Sequence, residues 1–131
     1  MSSVLAKIIQ GHIPCYKIAE DDNYFAFLDI SPVAFVHTLV VSKREEDYLF
    51  DMNDDELSGF LPFCKKVSKA IEAVVPCERV GLAVVGFEIP HAHIHLIPIN
   101  SMADFILSKP KLDLKHEAFD ELSEKIRAEI K

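Results

Sequence analysis

Apolar and polar positions along the chain change period several times, and each change marks an element. Val4, Leu5, Ile8 and Ile9 recur at helical spacing, with Ser3 placed to cap the first turn and Gly11 to end the helix after Gln10. Beyond His12-Ile13-Pro14, the runs Tyr16 to Ala19 and Tyr24 to Leu28 flank the polar Glu20-Asp21-Asp22-Asn23 and predict a hairpin. A turn at Ser31-Pro32 leads to another β-rich run, His37 to Ser42. The period then becomes helical again. Asn53 with Glu56 three residues on is an N-cap signal, and Leu57, Phe60, Leu61, Cys64, Val67, Ile71 and Val74 form one stripe. Pro62 falls inside that stripe, where a proline removes one hydrogen bond and costs about 3 kcal/mol, so a kink or break is expected there. Arg79 to Val85 and His91 to Ile99 predict two further strands, separated by Gly86-Phe87-Glu88-Ile89-Pro90. Phe119, Leu122, Ile126 and Ile130 mark an amphipathic helix near the end.

Strands joined by short connections, with one long helix between the third and fourth, imply an α+β domain on a mostly antiparallel five-stranded sheet, with further helices at both ends. At 131 residues, half of them apolar and 27% charged, one domain spanning 1–131 around a single core accounts for the whole chain.

Charge and cysteines narrow the setting. A formal charge of −7 repels polyanions, and no cluster of Lys and Arg stands out beyond Lys65-Lys66 and Lys43-Arg44, so nucleic acid is not an expected partner. A small anion is a different matter, because backbone amides can hold one phosphate in a locally favourable cleft. No apolar run approaches the roughly 20 residues that cross a bilayer, and no membrane association is expected. Cys15, Cys64 and Cys77 are odd in number, widely spaced and free of a CxxC pair. They suggest neither a disulfide framework nor a cysteine zinc site, and a reducing cytoplasm fits them best.

The chemistry concentrates in Pro90-His91-Ala92-His93-Ile94-His95-Leu96-Ile97-Pro98. Alternate strand positions share one face about 6.6 Å apart, so the three histidines form a row while Ala92, Ile94 and Leu96 face the other way. Half of the chain's six histidines lie within these five residues. A strand that only needed packing would not set three titratable groups on one face. Two chemistries suit such a row: binding of a transition metal, or supply of nucleophile, acid and base to a reacting phosphate. The metal reading lacks an HExxH, a nearby carboxylate pair and a cysteine ligand.

His-x-His-x-His followed by two apolar residues resembles the signature of the histidine triad family, and Pro90 and Pro98 flank it as they often do there. The resemblance continues through Lys7-Ile8-Ile9, Gly11-His12-Ile13-Pro14, Phe25-Ala26-Phe27-Leu28-Asp29-Ile30-Ser31-Pro32 and His37-Thr38-Leu39-Val40-Val41, and so covers most of the chain. It implies a purine nucleotide hydrolase or transferase, acting without metal or cofactor, in which His93 attacks the α-phosphate and a nucleotidyl-imidazole is then hydrolysed. Imidazole suits such chemistry, because with an ordinary pKa near 6.5 it is largely neutral and nucleophilic at pH 7, yet leaves phosphorus readily. By the same resemblance a backbone carbonyl near His91 orients His93, His95 contacts the phosphate or its bridging atom, and His37 supports the row from the next strand. Asp29, otherwise a turn former, takes the ribose-binding position with Ile30 beside it. Phe27, Val4, Leu5 and Ile8 match positions around the base, and Gly86, Phe87 and Glu88 complete the nucleotide site. The family usually forms a homodimer, with the long helix and an adjoining strand as its surface; the mass in solution decides this.

The chain also departs from the family. Zinc-bearing members carry two cysteines near the N-terminus and a histidine after the third strand, where this chain has Ser3, Ala6 and Glu45, so structural zinc is not expected. The Ser or Thr that commonly stands three residues before the triad is Glu88 here. Loss of that donor would cost of order 3 kcal/mol, a hundredfold or more in rate. Glu88 is expected either to turn away or to serve an amine leaving group, which favours phosphoramidates over polyphosphates. An Asn-Gly-rich phosphate loop is replaced by Arg79-Val80-Gly81-Leu82-Ala83-Val84-Val85, with Gly86 retained. A dinucleoside polyphosphate hydrolase, a nucleotidyl transferase and a nucleotide-binding regulatory protein with little catalysis are the alternatives.

Overall fold

A computed structural model describes residues 3–131. Its elements run α1 (Val4–Ile9), β1 (Lys17–Glu20), β2 (Tyr24–Leu28), β3 (Thr38–Ser42), α2 (Asp54–Val74), β4 (Arg79–Ala83), β5 (His93–Ile99) and α3 (His116–Glu129), with short 3₁₀ turns at Leu49–Asp51 and Met102–Asp104. The strands form one sheet in the order β1-β2-β3-β5-β4, every neighbouring pair antiparallel. This is the α+β architecture that the periodicity predicts. Among the described residues no helix is long and apolar enough to cross a membrane.

Strand alternation sorts the sheet into two faces. Ala26, Leu28, Val40, Ile94 and Leu96 pack on one side against Phe60, Phe63, Cys64, Val67 and Ile71 of α2 and Phe119 and Ile126 of α3. Phe25, Phe27, Leu39 and Val41 lie on the other, under Leu5 of α1. The helical face holds the main core. The opposite face is only partly roofed, and it carries the histidines.

Both predicted N-caps form: Ser3 Oγ accepts from Ala6 N–H at 3.0 Å, and Asn53 Oδ1 from Glu56 N–H at 2.8 Å. Gly11, at φ +83°, takes the left-handed conformation that closes α1. The break expected at Pro62 does not occur, and α2 runs unbroken for 21 residues. Pro62 and Ser58, whose carbonyl loses its partner, both lie on the exposed side, where water replaces the missing bond. Leu61 is 61% exposed rather than part of the buried stripe, which Phe63 and Ala70 complete instead. The fourth and fifth strands are shorter than expected: β4 ends at Ala83, and β5 begins at His93, leaving His91 outside the ladder. Residues 100–115, where the apolar pattern marks no element, form a strap that returns to the sheet, with Leu112 N–H bonded to Pro32 O at 2.8 Å.

Candidate active site

The register of the sheet builds the site. Val41 pairs with His93 and Leu39 with His95, while Phe25 and Phe27 pair with Val41 and Leu39 in turn. Directly opposed residues share a face, so His93 lies in a row with Phe25 and Val41, and His95 in a row with Phe27 and Leu39 and, on its other side, Ala83 of β4. Their rings lie 5.0 Å apart, edge to face, and His37, just ahead of β3, brings its ring within 5.2 Å of His95. The row is therefore His93, His95 and His37, and not the His91-His93-His95 line that simple alternation predicts.

Because the chain bends at residues 87–91 ahead of β5, the buried His91 ring meets other partners. Its Nε2 donates to Ser42 O at 2.8 Å, and its Nδ1 lies 2.9 Å from Ser3 Oγ. Only one ring nitrogen of a neutral imidazole carries hydrogen, so Nδ1 accepts from the Ser3 hydroxyl. The Ser3 N–H in turn donates to Glu45 Oε1 at 2.5 Å. Ser3 and Glu45 thus set a hydroxyl and a carboxylate near His91, groups that make hydrogen bonds but lack the thiolates and second imidazole of a zinc site.

Each of the other rings is likewise held in one tautomer by its partners. His93 Nδ1 donates to His91 O at 2.8 Å, which leaves Nε2 as the bare nitrogen. Val33 N–H donates to His37 Nδ1 at 3.1 Å, so the His37 proton sits on Nε2 and is donated to His95 Nδ1 at 3.0 Å. The remaining hydrogen of His95 is then on Nε2. Burial, reinforced by neighbouring positive charge, holds His37 down at about 3 and His95 at about 4, and burial also lowers His91. These imidazoles are neutral at pH 7 and act as hydrogen-bonding groups, not cations.

Asp29, His37 and His95 bring a carboxylate oxygen and two ring nitrogens within 4.8 Å of one another. A metal there would need a lone pair on His37 Nε2. Val33 N–H occupies the Nδ1 lone pair and so places a proton on Nε2, and the cluster fits a relay of hydrogen bonds better than a metal centre. The Asp29 carboxyl is raised mainly by burial; Oδ1 accepts from Ser31 N–H at 2.8 Å, while Oδ2 stands 3.6 Å from His37 Nε2, too far for a hydrogen bond.

His93 and His95 open into a cleft of about 260 Å³ lined also by Val85, Gly86, Phe87, Glu88, Leu107 and Ser108. Gly86 has φ +88° and open space where a side chain would stand, so backbone can approach a ligand closely there. Phe87 is 94% exposed, and Ile30, beside Asp29, 70%. Phe27 and Leu5 are buried in the apolar layer of this face, Ile8 packs against that layer, and Val4 faces solvent at the outer side of α1. Side-chain patterns give no sign of two things that matter here. One is the Val33 amide, a backbone group; the other is the strap, whose Leu107 and Ser108 reach the cleft without any motif to announce them.

Known proteins resemble the chain in both sequence and fold. A family model described as the HIT domain matches residues 10–102. An uncharacterized HIT-like protein of Borreliella burgdorferi is 36% identical over 97% of each chain, and the adenosine 5'-monophosphoramidase hnt1 of Schizosaccharomyces pombe is 34% identical over the full length of both. The crystal structure of a Hit-like protein from Bartonella henselae superposes with a TM-score of 0.84 at 28% identity, covering 98% of this chain and 96% of that one.

Proposed function

Because the chain belongs to the histidine triad family, we propose that it is a nucleotide hydrolase that cleaves purine nucleoside phosphoramidates at the α-phosphate through a nucleotidyl-His93 intermediate. One observation carries the mechanism: the His93 ring is locked by donation from Nδ1 to His91 O, and its unprotonated Nε2 belongs to a ring that lines the cleft. That nitrogen attacks phosphorus with no proton to lose first, and fixing the ring beforehand spares the entropy of orienting it. A P–N bond forms to Nε2 while the P–N bond to the leaving amine breaks, its electron pair staying on the amine. The amine takes its proton from solvent while the exposed Glu88 carboxylate at the cleft mouth accepts a hydrogen bond from it, and Glu88 afterwards takes a proton from the water that displaces Nε2, releasing AMP. His95, its free hydrogen on Nε2, donates to a phosphate oxygen, and the uncommitted Oδ2 of Asp29 receives ribose hydroxyls. Support comes from the named activity of the fission yeast relative and from this tautomer pattern together.

Mass spectrometry of the protein briefly exposed to adenosine 5'-phosphoramidate tests the proposal. Wild type is expected to carry a nucleotidyl adduct and release AMP, and His93→Ala to form no adduct and lose on the order of 10³-fold or more in release. AMP binding without adduct or turnover in wild type would establish the alternative, a binding protein whose catalysis Glu88 has weakened.

A further inference from the structure

An anionic substrate meets an unfavourable field in this cleft. Its titratable lining is His93, His95 and Glu88, with no Lys or Arg, and Asp29 stands behind His95 across His37. His95 and His37 are neutral hydrogen-bonding groups, so neither supplies positive charge. The chain as a whole carries −7. A nucleoside monophosphate group would therefore enter a cleft with an acidic side chain at its mouth and another behind it, and with no Lys or Arg in its lining.

The strap brings a cation that no motif marks. Lys111 Nζ donates to Leu107 O at 2.5 Å, and Leu107 is itself a wall of the cleft. One residue on, Leu112 N–H is bonded to Pro32 O at 2.8 Å, which pins the strap beside the Asp29–Pro32 turn. The ammonium is thus anchored to the cleft wall by one hydrogen bond, while the backbone next to it is pinned at the Asp29–Pro32 turn. Its charge reaches Asp29, His37 and His95 alike. A lysine held by a single carbonyl keeps two further N–H donors free for an incoming oxygen.

We propose that Lys111 binds the substrate's α-phosphate, supplying from the strap a fixed positive charge and the donor that Glu88 does not provide. This rests on the nucleotide reading of the site. It also gives the strap a purpose, since the Leu112–Pro32 bond then serves to deliver a charge to the mouth of the cleft. An ammonium at a solvated rim acts as a point charge, with an effect that salt weakens.

Calorimetric binding of AMP and of adenosine to the intact protein, at low and moderate ionic strength, tests this. The two ligands differ only in the phosphate, so their affinity ratio isolates it. Lys111→Met is expected to lower the AMP-to-adenosine affinity ratio about 10-fold at low salt, Lys111→Arg to retain most of it, and added salt to narrow the gap between wild type and Lys111→Met. An unchanged ratio in Lys111→Met overturns the proposal and leaves the nucleotide site standing. Failure of wild type to bind either ligand refutes the nucleotide reading itself, and this inference with it.

Discussion

At the back of the cleft each imidazole is buried and meets a fixed partner: His91 between Ser3 and Ser42, His93 on the His91 carbonyl, His95 on His37, and His37 on the Val33 amide. At its mouth Val85, Phe87, Glu88 and Ser108 stand in solvent, and Lys111 hangs from the strap by one bond. The two regions adjoin in space and follow opposite rules. A nucleophile must present one lone pair in one direction, which requires neutral rings and fixed tautomers, and these come from low dielectric and backbone partners. Recognition of a charged, departing group needs charges that water can reach and that move as the ligand leaves. On the proposed mechanism, the difference separates what performs the reaction from what chooses the substrate.

Acid is expected to break the back of the cleft first and most. His37 and His95, at about 3 and about 4 when folded, rise towards the ordinary 6.5 when the chain unfolds. Between those values the unfolded state binds protons that the folded state refuses, so their contribution is complete above about pH 6.5 and is lost as pH falls towards 4. Each ring costs up to about 1.4 kcal/mol per pH unit. Urea unfolding from pH 7 to pH 4.5 measures the slope, and imidazole NMR identifies the source: neither ring should titrate above pH 5. A midpoint near 6.5 for either would place it with the solvated rim.

Ser3→Ala probes the same region from 88 residues away. It strips a buried acceptor, His91 Nδ1, of its donor and removes the cap of α1, at a cost of roughly 1–3 kcal/mol. With His91 free to change tautomer, the carbonyl that holds His93 shifts, and kcat is expected to fall about 10-fold with KM little changed. A melting temperature that drops while kcat stays at the wild-type value would reduce the Ser3 contact to scaffolding.

Glu88→Ser addresses the mouth and should be the mildest change. Stability is expected to stay within about 0.5 kcal/mol of wild type, since the side chain is exposed. The ratio of kcat/KM for phosphoramidate over dinucleoside polyphosphate is expected to fall by several-fold, as a hydroxyl donor replaces a carboxylate that serves the amine. An unchanged ratio would remove Glu88 from the choice of leaving group.

The legibility of the molecule in its sequence follows the same divide. Periods of two and 3.6 placed each element within a few residues, and the errors have local causes: at Pro62 solvent satisfies the freed carbonyl, and before β5 the chain turns to bury His91. The alternation around His93 and His95 correctly sends Ala92, Ile94 and Leu96 into the helical core. Glu88 and Gly86 read as neighbours of the triad and do line its cleft. Ser3 read only as a helix cap and a substituted ligand position, and Lys111 not at all.

What the sequence by itself determined is whatever depends on residues near one another in the chain: the faces of the strands, the caps of α1 and α2, the concentration of imidazoles in five residues, and the family. Only the tertiary structure decided which ring touches which. His37 meets His95 across 58 residues and Ser3 meets His91 across 88, and the tautomers are set largely by the amide of Val33 and the carbonyls of Ser42 and His91. Side-chain identities carry periodicity and chemistry. Backbone donors and acceptors are the same at almost every position, and where they point is known only once the chain has folded.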